Sequence, residues 1–222
     1  MLTANHINPP IKAILRTFLR IDDTDVVKVP MNGPLIIATN HINWLDAPLG
    51  FSHLHPRPLT AFAKIETWES PPMRLLFNAW EAIPITRGEV DFTAFRKAEE
   101  ALKSGKMIAV APEGTRSGNG SLNKGYPGII FLALRAGVPI LPFVVYGNER
   151  IRENLHHYRR TDITMKSGQP FRLVAQDSTP SREMRQQLTD AVMYEIARLL
   201  PESYRGYYRD IDPAYRRYIQ FI

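Results

Sequence analysis

Short apolar runs separated by helix-length amphipathic stretches constrain this chain more than any other feature. Leu35 to Thr39, entered through Gly33-Pro34, predicts a buried strand, and Leu59 to Ala63, Ala82 to Ile85, Met107 to Ala111 and Ile140 to Val145 are runs of the same kind. Helical patterns sit between several of them. Phe95, Ala98 and Leu102 fall in register over Phe92 to Leu102, and another stretch runs from Pro127 through Ile130, Phe131 and Leu134 to Gly137. Strands alternating with helices predict an α/β fold, a mixed, largely parallel sheet flanked by helices. A late strand is expected around Thr161 to Met165. A long amphipathic helix is expected after Thr179-Pro180, carrying Met184, Leu188, Ala191, Val192, Ile196 and Leu199; proline is tolerated in a first turn.

The ends of the chain read differently. Ile11, Ile14, Leu15, Phe18 and Leu19 share one helical stripe, with Lys12, Arg16 and Arg20 off it, behind a Pro9-Pro10 start. This N-terminal amphipathic helix suits a membrane interface or packing on its own core. Residues 203–222 interleave Tyr204, Tyr207, Tyr208, Tyr215 and Tyr218 with Arg205, Arg209, Arg216 and Arg217. Such a tail suits lipid headgroups, stacked bases, or wrapping of its own domain. The expected division is therefore 1–29 as an amphipathic segment, 30–202 as the domain, and 203–222 as an aromatic, basic tail.

At 222 residues the chain can bury a real core, and 44% hydrophobic with 23% charged residues excludes the disordered and fibrous classes. With no cysteine there is no disulfide framework and no Cys-based zinc site. The net charge of +6 is compatible with anionic lipid, nucleic acid or an anionic cofactor. No run of about 18 apolar residues occurs, and the N-terminus lacks a charged-then-apolar signal layout. Membrane contact is expected to be peripheral, and export is not expected.

Chemistry concentrates in two loops. His41 follows an apolar run, and Asp46 lies five residues on; side chains so spaced stand about 140° apart on a regular helix. Contact between them requires a change of conformation, which Asn43 supplies as an N-cap with a helix starting behind it from Trp44 to Gly50. Asp46 then reaches one ring nitrogen and leaves the other to take a proton. In isolation the same residues also suit a satisfied loop histidine and a capping aspartate. The second loop is Pro112-Glu113-Gly114-Thr115-Arg116-Ser117. Gly114 allows a tight turn, Thr115 offers a hydroxyl, Arg116 can clamp a phosphate in two-point fashion, and Lys124 adds a cation. Arg87 ends the stretch Ile83-Pro84-Ile85-Thr86-Arg87, where α/β sheets bind ligands if the stretch is a strand. Glu113 is awkward beside a phosphate and is expected to hold Arg87 or Arg116, or to bond a glycerol hydroxyl. Val138-Pro139-Ile140-Leu141-Pro142 is structural or the wall of an acyl groove.

In order, His41-x4-Asp46, Ile83 to Arg87, Pro112 to Ser117 and Val138 to Pro142 resemble the four-block signature of the glycerolipid acyltransferases, closest to the 1-acylglycerol-3-phosphate acyltransferase branch. The resemblance covers roughly residues 30 to 175. Ala82 stands where the family often has glycine, and Ala111 where many members have phenylalanine; many members also carry clear membrane helices. The resemblance implies acyl transfer from acyl-CoA or acyl-carrier protein to the hydroxyl of a lysophosphatidic acid, giving phosphatidic acid in phospholipid biosynthesis, with no covalent enzyme intermediate. His41 would be the base and Asp46 its orienter. Arg87, Glu113, Gly114, Thr115, Arg116 and Lys124 would hold the acceptor. No metal, no cofactor beyond the co-substrate and no nucleic acid are expected. The site of action implied is cytoplasmic, peripheral on the inner face of the membrane. Two alternatives stand beside it: the same chemistry on a lysophospholipid or soluble alcohol, and a lipid- or nucleic-acid-binding protein without catalysis.

Overall fold

The computed structural model describes residues 2–86, 91–175 and 180–222. In chain order the elements are α1 Ala4–Phe18, β1 Leu19–Asp22, β2 Leu35–Thr39, α2 Asp46–His53, β3 Leu59–Lys64, α3 Pro71–Ala79, β4 Ile83–Ile85 and α4 Phe92–Lys103. There follow β5 Met107–Val110, α5 Gly128–Ala136, β6 Ile140–Tyr146, α6 Ile151–His156, β7 Thr161–Ser167, β8 Phe171–Leu173, α7 Arg182–Leu199 and β9 Ile219–Phe221. The strands form one sheet in the order β1-β7-β6-β2-β5-β3-β4. Every neighbouring pair along it is parallel except β6–β7; β8 runs antiparallel to β6, and β9 antiparallel to β8. The mixed, mainly parallel sheet flanked by helices is therefore the observed architecture.

The central strands read as unbroken apolar runs because both faces of the sheet are covered. Strand side chains alternate between faces. Leu35 and Ile37 of β2, with Leu141, Phe143 and Val145 of β6, face α1, α2 and α3. Ile36 and Ala38, with Ile140 and Val144, face α4, α5 and α7. Burying each such aliphatic side chain stabilises the fold by roughly 1.5–3 kcal/mol. These layers hold the parallel strands β2, β5 and β6 in register, which brings their carboxyl ends together.

The N-terminal stripe divides in two. Ala4, Ile7, Ile11 and Leu15 pack on the core, while Ile14 and Phe18 stay exposed. Asn8 is buried because its Oδ1 accepts the indole N–H of Trp80 at 2.8 Å. The helix begins at Ala4 rather than behind Pro9-Pro10, since the Thr3 carbonyl already accepts the N–H groups of His6 and Ile7. Leu19 leaves the stripe altogether. It is buried as the first residue of β1, which pairs with β7.

Strands from all three of the segments expected from the sequence join one sheet. β1 lies on its edge, and β9 of the tail extends it through β8. Tyr208 and Tyr215 are buried. The Tyr208 hydroxyl donates to Asp190 at 2.8 Å and accepts the Gly125 N–H at 3.0 Å. Tyr208 and Tyr215 are thus core and hydrogen-bonding groups of the domain, while Tyr207 stays exposed. Among the described residues no helix is long and apolar enough to cross a membrane.

Candidate active site

The chain leaves β2 at Thr39 and passes through Asn40 into the loop that holds His41. Asn40 is buried and locks that exit: it donates to the Val145 carbonyl at 2.8 Å and accepts the Val145 N–H at 3.0 Å, pinning β2's end to β6. The loop then turns inward on Asp46, the first residue of α2. Asp46 Oδ2 accepts the N–H groups of Ile42 at 2.8 Å and Asn43 at 2.9 Å, and also the Nδ1–H of His41 at 2.7 Å. Asn43 accepts the Leu45 N–H at 2.8 Å, a turn that leads into the helix. The change of conformation required between residues 41 and 46 is this turn. Asn43 makes it as a loop residue and not as the expected N-cap, because α2 starts at Asp46 with Leu45 at its N-cap position. With its proton held at Nδ1, neutral His41 presents an unprotonated Nε2, and its side chain remains 25% exposed against 12% for Asp46.

The loop behind β5 is tied to the first by backbone. Ser117 N–H donates to the His41 carbonyl at 2.8 Å, and Gly118 N–H to that of Ile42 at 3.0 Å. Gly114 adopts φ +67°, a left-handed conformation that turns the chain outward. Gly114, Thr115 and Arg116 are exposed and follow directly on Glu113.

Glu113 itself departs from the expected role. It is only 1% exposed, and its two oxygens accept the N–H groups of His41 at 2.9 Å and Asn123 at 2.8 Å. Burial pushes its carboxyl above the ordinary carboxylate value, and those two N–H groups partly offset the rise. A buried carboxylate bonded at both oxygens holds the His41 loop. The Lys124 ammonium stands 5.9 Å from the Tyr207 ring centroid, against the tail. Arg87 lies outside the described residues.

One site residue had no motif to announce it. Asn148 is fully buried behind β6; its Nδ2 donates to Asp46 Oδ1 at 2.5 Å, and its carbonyl accepts from Asn43 Nδ2 at 2.8 Å. Both oxygens of Asp46 are therefore engaged, one by the loop and one from the turn that follows β6. The available signal was Gly147. It sits at φ +97°, and a Cβ there would lie 2.2 Å from the Asp162 carbonyl oxygen, so glycine alone lets the chain pass β7 and turn Asn148 inward. Among the described residues no group of three His, Cys, Asp or Glu side chains is placed to hold a metal ion.

This geometry provides a histidine with one free nitrogen, a fully bonded carboxylate partner, and an exposed hydroxyl and guanidinium on a linked loop. It is a proton-accepting site at the carboxyl end of an α/β sheet. The sequence profile of the Acyltransferase family matches residues 20–146, more than half of the chain, and the chain belongs to that family. It is 29% identical over 130 residues to a 1-acyl-sn-glycerol-3-phosphate acyltransferase of Borreliella burgdorferi, an alignment covering 58% of this chain and 52% of that protein. It is 28% identical over 113 residues to a lyso-ornithine lipid O-acyltransferase of Pseudomonas aeruginosa, covering 50% of this chain and 43% of that protein. The match thus spans about half the length of these relatives. The fold is that of the crystal structure of the 1-acyl-sn-glycerophosphate acyltransferase PlsC from Thermotoga maritima, with a TM-score of 0.61 and 22% identity over 85% of this chain and 77% of that one.

Proposed function

We propose that the protein transfers a fatty acyl group from a thioester, acyl-CoA or acyl-carrier protein, to the free hydroxyl of 1-acylglycerol-3-phosphate. The observation that carries this reading is the His41 Nδ1–Asp46 bond with Nε2 left open at the sheet's carboxyl edge. Nε2 takes the acceptor's hydroxyl proton as its oxygen attacks the thioester carbonyl. The imidazolium that forms is stabilised by Asp46. Collapse of the tetrahedral intermediate breaks the C–S bond, and the thiolate takes the proton back from Nε2, giving the ester and the free thiol. Positioning of both reactants supplies the rest of the acceleration.

Thr115 and Arg116 are the groups available to the acceptor phosphate. Glu113, Asn40 and Asn148 support the pair without touching substrate. The exposed Ile14 and Phe18 of α1, with Met73 and Leu75 of α3, suit peripheral contact with a bilayer surface that carries the acceptor. A second acceptor class is favoured by the lyso-ornithine lipid relative: a lysolipid without a glycerol phosphate.

The test is thiol release from palmitoyl-CoA with 1-oleoyl-glycerol-3-phosphate, with His41→Ala alongside. Release that depends on the acceptor and vanishes in the variant supports the reading. Release only with a lyso-ornithine lipid moves the acceptor and keeps the mechanism. Acceptor-dependent release that survives in His41→Ala overturns His41 as the base.

A further inference from the structure

We propose that an arginine-lined cleft beside the His41 centre is a phosphate subsite for the phosphorylated end of the thioester donor. It rests on the acyl-transfer reading and names the donor group that this reading leaves open. The cleft encloses about 600 Å³ where β6 ends and β7 and β1 begin. Because β7 runs antiparallel to β6 and β1 parallel to β7, this is the same end of the sheet as His41. It lies two strands from β2, or about 10 Å at a strand spacing of ~4.8 Å. An extended pantetheine arm spans more than that. Gly147 and Glu149 line the cleft while Asn148, between them, turns to Asp46, so one turn of chain walls the cleft and supports the catalytic pair.

The charge of the cleft is positive, and its carboxylates are already engaged. Arg20, Arg150, Arg159 and Arg160 line it, with Glu149 and Asp162. Asp162 is taken by Arg20 in a two-point pair at 2.5 and 2.9 Å. Glu149 accepts the Tyr204 hydroxyl at 2.6 Å and the Gly147 N–H at 3.1 Å, and Arg150 reaches it only at 3.8 Å. The Arg160 guanidinium is anchored on the backbone carbonyls of Arg16 and Leu19 and forms no ion pair within 4 Å among the described residues. Arg159 forms no ion pair among the described residues. Guanidinium groups without anions in a concave site select phosphate, which they bind in two-point fashion. Tyr146 and Tyr204, with ring centroids 5.3 Å apart, give the cleft an aromatic wall. Coenzyme A and carrier-protein thioesters share the required chemistry, a phosphate at the end of the pantetheine arm; the coenzyme adds a phosphorylated nucleotide.

The test compares the full-length protein with its Arg150→Ala/Arg159→Ala variant, both side chains being exposed and so dispensable for folding. KM is measured for palmitoyl-CoA, for palmitoyl-carrier protein and for palmitoyl-N-acetylcysteamine, which carries no phosphate. Binding of 3′,5′-ADP and of 4′-phosphopantetheine is measured by calorimetry, independently of turnover. The expected result is a rise of about ten-fold or more in KM for a phosphorylated donor, with kcat and the KM for the unphosphorylated donor unchanged. At least one phosphorylated probe should bind the wild-type protein and weaken by about the same factor in the variant. A response to 3′,5′-ADP alone assigns the nucleotide; a response to phosphopantetheine and to both phosphorylated donors assigns the shared phosphate. The proposal fails if the wild type binds neither probe, if both proteins bind alike, or if the KM that moves is that of the lysophosphatidate. Absence of thiol release from every donor would sink the acyl-transfer reading, while probe binding would still decide the cleft.

Discussion

The two ends of the 41–53 segment hold histidines with opposite fates. His41 lies in the loop before α2, donates its Nδ1–H to Asp46 in a hydrogen bond and leaves Nε2 without a protein partner among the described residues. His53 lies in the last turn of the same helix, 2% exposed, with Nδ1 within 3.0 Å of the Leu49 carbonyl and the Ser52 hydroxyl. Its Nε2 is buried with no partner among the described residues. Burial first, then the charge of Lys12, lowers its pKa from 6.5 to about 4. The ring is identical in both places. A carboxylate on one nitrogen with the other left open suits a base, whereas burial without a carboxylate favours the neutral ring.

Breaking that contrast at His41 should have the largest effect on turnover. His41→Ala is expected to lower thiol release about a thousand-fold, within the range general bases supply. Asp46→Asn keeps the shape but loses the carboxylate that stabilises the imidazolium and selects the ring tautomer, and a loss of about a hundred-fold is expected. Equal losses in the two variants would mean that Asp46 builds the loop rather than assists the base; circular dichroism and the slope of log kcat against pH separate the cases. Asn148→Ala removes the donor on the second Asp46 oxygen. About a ten-fold fall in kcat is expected, with a stability cost of roughly 1–3 kcal/mol for a carboxylate oxygen left short of a partner. An unchanged kcat beside a lowered melting temperature would strip Asn148 of any part in orienting the pair.

Which parts of this molecule were legible in the chain follows from how local their causes are. The five apolar runs became β2 to β6 because a covered sheet face needs only apolar residues in succession. The His41 and Asp46 contact was legible because both partners lie within one turn of chain, with Asn43 between them to bend it. β1 was hidden, because Leu19 continues a helical stripe in sequence and only the pairing with β7, far along the chain, makes it strand. Glu113 was misplaced for the same reason: nothing near it in sequence shows that the His41 N–H will claim its carboxylate. Asn148 is the extreme case, its partners being a hundred residues upstream and its one local sign a glycine that the packing of β6 on β7 makes obligatory.

The smallest effect on turnover is expected at the other histidine, where the response is one of stability. Nothing in the site touches His53, so His53→Gln should leave activity at pH 7 unchanged. Between pH 6.5 and about 4 the unfolded chain protonates this residue while the folded chain does not. The unfolded state then binds more protons, so the wild-type protein loses stability as the pH falls through that window, and keeps all of it above 6.5. At pH 5 the loss amounts to about 2 kcal/mol, from 1.5 units below the unfolded value at 1.36 kcal/mol each. Asp23, the carboxylate that would offset it, is already paired with Arg16 at 2.6 Å and Lys12 at 3.6 Å. Urea midpoints of both proteins at pH 7 and pH 5 test this, the other histidines being common to both and cancelling in the comparison. A shallower acid dependence in His53→Gln is the expected outcome. Parallel dependences in the two proteins would show that His53 takes up a proton in the folded state as readily as in the unfolded one, and would erase the distinction drawn between it and His41.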